Sequence, residues 1–161
     1  VSACAMLAEI AAWAKDNGMT MYQLLQKIYV EYGFSKEKGI SVVKKGKSGA
    51  EEIEAMMKQF RANPLTEIAG SKVVLFNDFS TLKGKDYLAN ETLTLDMPTT
   101  SNVLQYFTED KTKVSIRPSG TEPKIKFYIE VHSKVNSVDE LADADKAALE
   151  KIEAIKASLG I

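Results

Sequence analysis

The chain has 161 residues, 45% of them hydrophobic, and its 21 Lys and Arg against 22 Asp and Glu leave a net charge of −1. Those proportions describe a globular chain that can bury a core without staples, and the near-neutral balance argues against a general polyanion binder. One cysteine (Cys4) excludes an internal disulfide and fits a reducing compartment, one histidine (His132) is too few for a zinc cage, and no stretch is long and apolar enough to span a bilayer as a helix.

From Val1 to Ala14, VSACAMLAEIAAWA, only Ser2 and Glu9 are clearly polar. A helix apolar on nearly every side is normally a buried one. The first basic residue is Lys15, so the basic n-region of a signal peptide is missing. Two readings fit: the chain is a fragment whose first helix packs against a domain outside it, or the helix is buried within a self-contained domain.

Asn17-Gly18 marks the end of that helix. Thr20 opens a capping box with Gln23, Leu24, Leu25, Ile28 and Tyr32 follow at helical spacing, and Gly33 closes the segment. Ile40 to Val43 reads as a short strand, and Gly33 to Lys38 before it as a hinge. Ser48 with Glu51 forms a second capping box, ahead of an Ile53, Met56, Met57, Phe60 stripe that Asn63-Pro64 ends.

The period then changes. Lys72 to Phe76 reads as a strand, Asp78 to Thr100 as a loop with one edge strand around Leu93 to Leu95, and Asn102 to Phe107 and Lys113 to Arg117 as strands joined by a turn at Glu109-Asp110. Ile125, Phe127, Ile129 and Val131 alternate with Lys124, Lys126, Tyr128 and Glu130, the cleanest period-two pattern in the chain. Ser137, with Glu140 three residues on, caps a last helix whose apolar stripe is Leu141, Ala148, Leu149, Ile152, Ile155 and Leu159. The expected class is α+β, with a mostly antiparallel sheet set among helices.

Charge is segregated although the total is not. Lys111 to Lys134 carries six cations and two carboxylates, net +4, while Val135 to Ile161 is net −3. At the centre of the basic segment lies Arg117-Pro118-Ser119-Gly120-Thr121-Glu122-Pro123, and each residue type there suits capture of a phosphate ester. Arg117 offers a planar fork for two phosphate oxygens. Ser119 and Thr121 supply hydroxyl donors, and Gly120 permits a φ > 0 turn in which successive N–H groups converge on an anion. The two prolines stiffen the ends, and Lys124 and Lys126 leave on one strand face.

RPSGTEPKIKFYIEV resembles the phosphate-binding loop of the α-D-phosphohexomutases, the phosphoglucomutase/phosphomannomutase superfamily. LDMPTTSNVLQYF before it, with Ser101-Asn102-Val103-Leu104, is similar to the segment preceding that loop in the bacterial phosphoglucomutase branch. The opening VSACAMLAEIAAWAKDNG resembles the last helix of the family's third domain. The resemblance implies that residues 1–33 are the end of domain three and linker, and residues 34–161 the fourth, phosphate-binding domain, α+β with a mainly antiparallel four-stranded sheet flanked by helices in a TATA-box-binding-protein-like fold. It implies that Arg117, Ser119, Gly120 and Thr121 contact the phosphate of a glucose or mannose 1- or 6-phosphate. Lys126 joins them, family members differing in which basic residue follows the loop.

Members of that family have four domains and move a phosphoryl group between a phosphoserine and the sugar. A fourth domain that holds the non-reacting phosphate is what such a scheme requires. The serine loop, the magnesium loop and the sugar-recognition loop have no counterpart here, so the expectation is no catalytic residue, no bound cofactor and no turnover from this chain. Magnesium and the missing N-terminal domains belong to the full-length, cytoplasmic enzyme. The rival is a free-standing phospho-ligand or interaction module.

Other features read as structural. Asp143-Ala-Asp145 sits inside the last helix, where i and i+2 do not face each other. Gly46-Lys47-Ser48 resembles the end of a P-loop, but Ser41 stands where that motif needs glycine. Phe127 and Tyr128 among lysines have the look of a base-stacking sheet, yet the alternation fits core-in, solvent-out equally, and neither nucleic acid nor membrane is expected as a partner.

Overall fold

The structure, a computed structural model, describes residues 1–44 and 46–161. Two helices, α1 (Ser2–Asp16) and α2 (Met21–Tyr32), precede the first strand β1 (Phe34–Val43) and helix α3 (Gly46–Ala62). Strands β2 (Glu67–Ile68), β3 (Ser71–Asp78), β4 (Lys83–Asp86), β5 (Glu91–Thr94), β6 (Leu104–Thr108), β7 (Lys113–Pro118) and β8 (Lys124–Ser133) follow. A 3₁₀ turn (Val138–Glu140) then leads into helix α4 (Leu141–Leu159). The strands run β1-β8-β7-β6-β3-β4-β5, with β2 paired to β3, and every pairing is antiparallel. The α+β class with helices beside an antiparallel sheet is therefore the observed one. The sheet has eight strands where four were expected, and two stretches depart from the sequence reading.

First, Asp78 to Thr100 holds two strands where one edge strand, around Leu93 to Leu95, was expected. β4 and β5 form a hairpin that extends the sheet from β3. Their sequences, KGKD and ETLT, carry almost no apolar alternation because backbone pairing rather than side-chain burial holds them. Second, β1 starts at Phe34 and pairs with β8 over ten residues, from Phe34 opposite Ser133 to Val43 opposite Lys124. The proposed hinge at Gly33 to Lys38 is thus mostly paired strand. Phe34 anchors it in the core and stacks edge-on against Tyr29 of α2, ring centres 5.0 Å apart.

The core lies on one face of the sheet, under α3 and α4. Ile125, Phe127, Ile129 and Val131 of β8 are all buried there, as the alternation predicts, with Val114, Ile116, Leu104 and Tyr106 from the neighbouring strands. From the helices come Ile53, Met57, Ile152 and Ile155, while Met56 and Phe60 are half-buried at the margin. Leu149 is 38% exposed and lies off the stripe. Tyr106 is fully buried and donates to the Phe60 carbonyl at 3.1 Å, which ties β6 to α3. Lys36 and Lys38 of β1 reach across to Asp145 and Glu153 of α4, so Asp145 is part of a structural ion pair.

The capping expectations divide. At Thr20 both halves of the box form: its hydroxyl accepts from the Gln23 N–H, and the Gln23 side chain accepts from the Thr20 N–H. Ser48 is no cap, because α3 already begins at Gly46. Its neighbour Gly49 instead admits the end of β1, since a Cβ there would stand 2.6 Å from Lys44 Cβ. Ser137 precedes a 3₁₀ turn, and the Glu140 carboxylate accepts from the Asn136 N–H at 2.8 Å rather than from Ser137.

α1 and α2 pack on each other but bury little. Ala14 is the one buried residue of α1, and α2 has none. Met6, Leu7, Ile10, Trp13, Leu25 and Ile28 stay exposed, Trp13 at 54%.

Candidate functional site

The second face of the sheet is polar. Cross-strand register places Lys124, Lys126, Tyr128, Glu130 and His132 of β8 on it, beside Lys113, Ser115 and Arg117 of β7 and Ser35, Glu37, Gly39 and Ser41 of β1. At one end of this face, Arg117 stands directly opposite Lys126, and Ser41 flanks Lys126 from the other side. The loop joining β7 to β8 rises over that pair. Arg117, residues 118–122, Lys124, Lys126 and Tyr128 line a cavity of about 440 Å³. Every residue singled out from sequence for phosphate contact (Arg117, Ser119, Gly120, Thr121 and Lys126) is on its wall.

The loop is held by its own backbone. The Ser119 N–H donates to the Lys124 carbonyl at 2.7 Å, the Lys124 N–H to the Glu122 carbonyl at 2.7 Å, and the Lys44 N–H to the Pro123 carbonyl at 2.9 Å. Two details differ from the expected anion nest. Gly120 does not adopt positive φ; the glycines that do are Gly18, Gly33, Gly46, Gly70 and Gly160. The Ser119 N–H is committed within the loop, so the donors facing the cavity are led by side chains. Ser119 also accepts a long bond from the Thr121 N–H, 3.5 Å, with its hydroxyl proton still able to donate.

Charge within the cavity is uneven. Lys124 is held at 2.5 Å by Glu122, whose carboxyl is pulled below its ordinary range by the Lys124 ammonium and, less, by Lys126. Among the described residues neither Arg117 nor Lys126 has a carboxylate partner. Two unneutralised cations face to face are unfavourable by themselves and suit a doubly charged anion between them. Of the two lysines picked out by alternation, Lys126 carries the positive field.

A larger cavity, about 940 Å³, opens at the other end of the same face, between the end of α2, the β6–β7 turn and β8. Part of its charge is paired within the cavity wall. Glu130 is bound by both Lys113 and His132, the latter at 2.7 Å. Burial opposes ionisation of Glu130, but those two partners outweigh it and hold the carboxyl below its ordinary range. His132 therefore has a carboxylate neighbour two residues away that sequence inspection passed over. Among the described residues, no three His, Cys, Asp or Glu side chains are grouped to hold a metal ion.

Sequence reasoning missed Tyr128 as a wall of the cavity. The signal was present, because Tyr128 shares the parity of Lys124 and Lys126. Phe127, its partner in the base-stacking reading, is fully buried in the core and presents no stacking surface.

Fold and cavity together define an α+β domain that offers a cationic, hydroxyl-bearing loop at the mouth of a strand hairpin. The family described as "Phosphoglucomutase/phosphomannomutase, C-terminal domain" matches residues 40–148, from within β1 to within α4, and the chain belongs to that family. A phosphoglucomutase of Staphylococcus saprophyticus is 32% identical over 131 residues, 81% of this chain and 23% of its own length. One of Staphylococcus aureus is 33% identical over 151 residues, 89% of this chain and 25% of its own. The chain thus spans about a quarter of the curated relatives it matches. Among solved structures, the open form of pp63/parafusin, a phosphoglucomutase from Paramecium, overlays 84% of this chain and 23% of its own at 14% identity. Its TM-score of 0.38 is too low to define shared architecture. No helix is long and apolar enough to cross a membrane among the described residues.

Proposed function

We propose that this chain is the substrate-phosphate-binding domain of a phosphohexomutase, holding the non-reacting phosphate of a glucose or mannose phosphate while a phosphoryl group moves between the 1- and 6-positions elsewhere in the full-length enzyme. The carrying observation is the convergence of Arg117, Lys126 and the Ser119 and Thr121 hydroxyls on one cavity. Arg117 supplies the bidentate fork, Lys126 a point charge from the facing strand, and the hydroxyls neutral donors that tolerate either orientation of the sugar. Binding energy gathered at this remote phosphate then serves to position the reacting end.

On this reading residues 1–33 go with the preceding domain and residues 34–161 form the clamp. The many exposed apolar side chains of α1 and α2 support the fragment over a free-standing module, since they suit a surface that another domain covers. Catalytic serine, magnesium and sugar-recognition loops are supplied from outside this chain, which turns nothing over alone.

The test is an amide NMR titration of the chain with inorganic phosphate and glucose 6-phosphate. Resonances of Ser119 to Thr121 should shift, and Arg117→Ala should abolish the shifts. Equal shifts in that variant refute the assignment.

A further inference from the structure

Tyr128 is the one large aromatic on the wall of the phosphate cavity, and it is 43% exposed. Its position follows from register. On the open face Arg117 pairs with Lys126, and the next pair along the same two strands is Ser115 with Tyr128. That step is about 6.7 Å along β8. The ring therefore lies diagonally from Arg117, one residue pair inward from the phosphate contacts.

Its surroundings keep the ring available. Gly39 lies across β1 from Tyr128, and a Cβ built there would only touch the ring, 3.8 Å from Cδ1 and 3.9 Å from Cε1. The ring leans over a residue with no side chain, and on its other flank stands the small Ser115. Among the described residues the Tyr128 hydroxyl makes no hydrogen bond. An aromatic ring without a packing partner on its open side, beside two cations that have no carboxylate partner among the described residues, marks an apolar patch next to an anion site.

Resting on the reading of this cavity as a phosphate site, we infer that Tyr128 is a specificity-determining residue, a platform for the apolar face of the sugar ring whose phosphate is held by Arg117, Ser119, Thr121 and Lys126. A cyclic sugar phosphate covers the ring; an open-chain phosphate ester of the same charge covers much less of it. The selection is thus for phosphate carried on a ring, made by area rather than by hydrogen bonds to particular hydroxyls. Such a platform accepts the sugar in either orientation.

The experiment measures dissociation constants for glucose 6-phosphate, sn-glycerol 3-phosphate and inorganic phosphate by amide NMR. It uses the chain and its Tyr128→Ala, Tyr128→Phe and Arg117→Ala variants. The native chain should prefer glucose 6-phosphate over glycerol 3-phosphate about tenfold, the equivalent of covering roughly 55 Å² of apolar surface. Tyr128→Phe should keep that preference. Tyr128→Ala should erase it while leaving inorganic phosphate within about twofold of the native value. Nuclear Overhauser contacts between sugar ring protons and the Tyr128 ring in the native chain give a readout that does not depend on how well the alanine variant folds.

A preference that survives Tyr128→Ala, an equal loss for all three ligands, or absent ring contacts overturns the inference and leaves the phosphate site standing. An Arg117→Ala chain that binds phosphate normally, or a native chain that shows no phosphate shifts, overturns the site and the inference with it.

Discussion

Arg117→Gln tests the site through stability rather than binding. Arg117 and Lys126 face each other across β7 and β8 with Cα atoms about 5 Å apart, and like charges directly opposite destabilise a strand pair. For head groups about 6 Å apart in water-like surroundings the repulsion is about 0.7 kcal/mol. Arg117 is exposed and has no ion-pair partner among the described residues, so its removal costs little packing. The variant should therefore be more stable than the native chain at low ionic strength. For a chain of this size that is a rise in Tm of roughly 1–3 °C by thermal denaturation.

In about 1 M salt, where the screening length falls to about 3 Å, the gain should vanish. Inorganic phosphate should reverse the order. At a hundred times its dissociation constant a ligand adds about 2.7 kcal/mol to the chain that binds it, and nothing to the one that does not. If Arg117→Gln lowers Tm by several degrees without phosphate, Arg117 is part of the fold's support and the reasoning fails. If phosphate raises both chains equally, Arg117 is no phosphate ligand.

Two further predictions concern the scaffold. Burial works against the Asp110 carboxylate, but bonds from Lys151, the Thr108 hydroxyl and Thr112 outweigh it and hold its pKa well below the ordinary value of 3.8. Because the folded value is depressed, the stabilisation is present above pH 4 and is lost as pH falls below it. Asp110→Asn should cost about 1 kcal/mol at pH 7, a figure kept small by the carboxylate's exposure, and the gap should close toward pH 2 in urea unfolding series. A gap constant with pH would refute the charge argument. Gly84→Ala would place a Cβ 2.5 Å from the Asn77 Oδ1 of a buried side chain; it should cost about 1–3 kcal/mol and loosen the β4–β5 hairpin, visible as faster amide exchange in residues 83–94. Unchanged exchange there would show that Asn77 repacks freely.

Local chemistry in the chain was enough for several features. The alternation of Ile125, Phe127, Ile129 and Val131 predicts both the strand and its buried face, because a period of two puts one side of a strand against the core whatever its partners are. Thr20 with Gln23 caps α2 through bonds made within four residues. The residue types of the loop from Arg117 to Pro123 named the candidate phosphate contacts, and the cavity gathers all of them.

Tertiary structure decided what depends on partners distant in sequence. Phe34 to Gly39 is strand because β8 lies beside it, not because of its own polar sequence. β4 and β5 are strands because β3 offers an edge, and Leu149 turned outward because the angle of α4 on the sheet fixes which residues meet the core. In the site, Glu122 took Lys124 and left Arg117 and Lys126 without a counter-ion among the described residues, and register alone brought Tyr128 to the wall beside them. Residue identity determined which groups were available to bind an anion. Which of them remain uncompensated, and what stands next to them, is set by pairing between strands, and a linear sequence does not contain those distances.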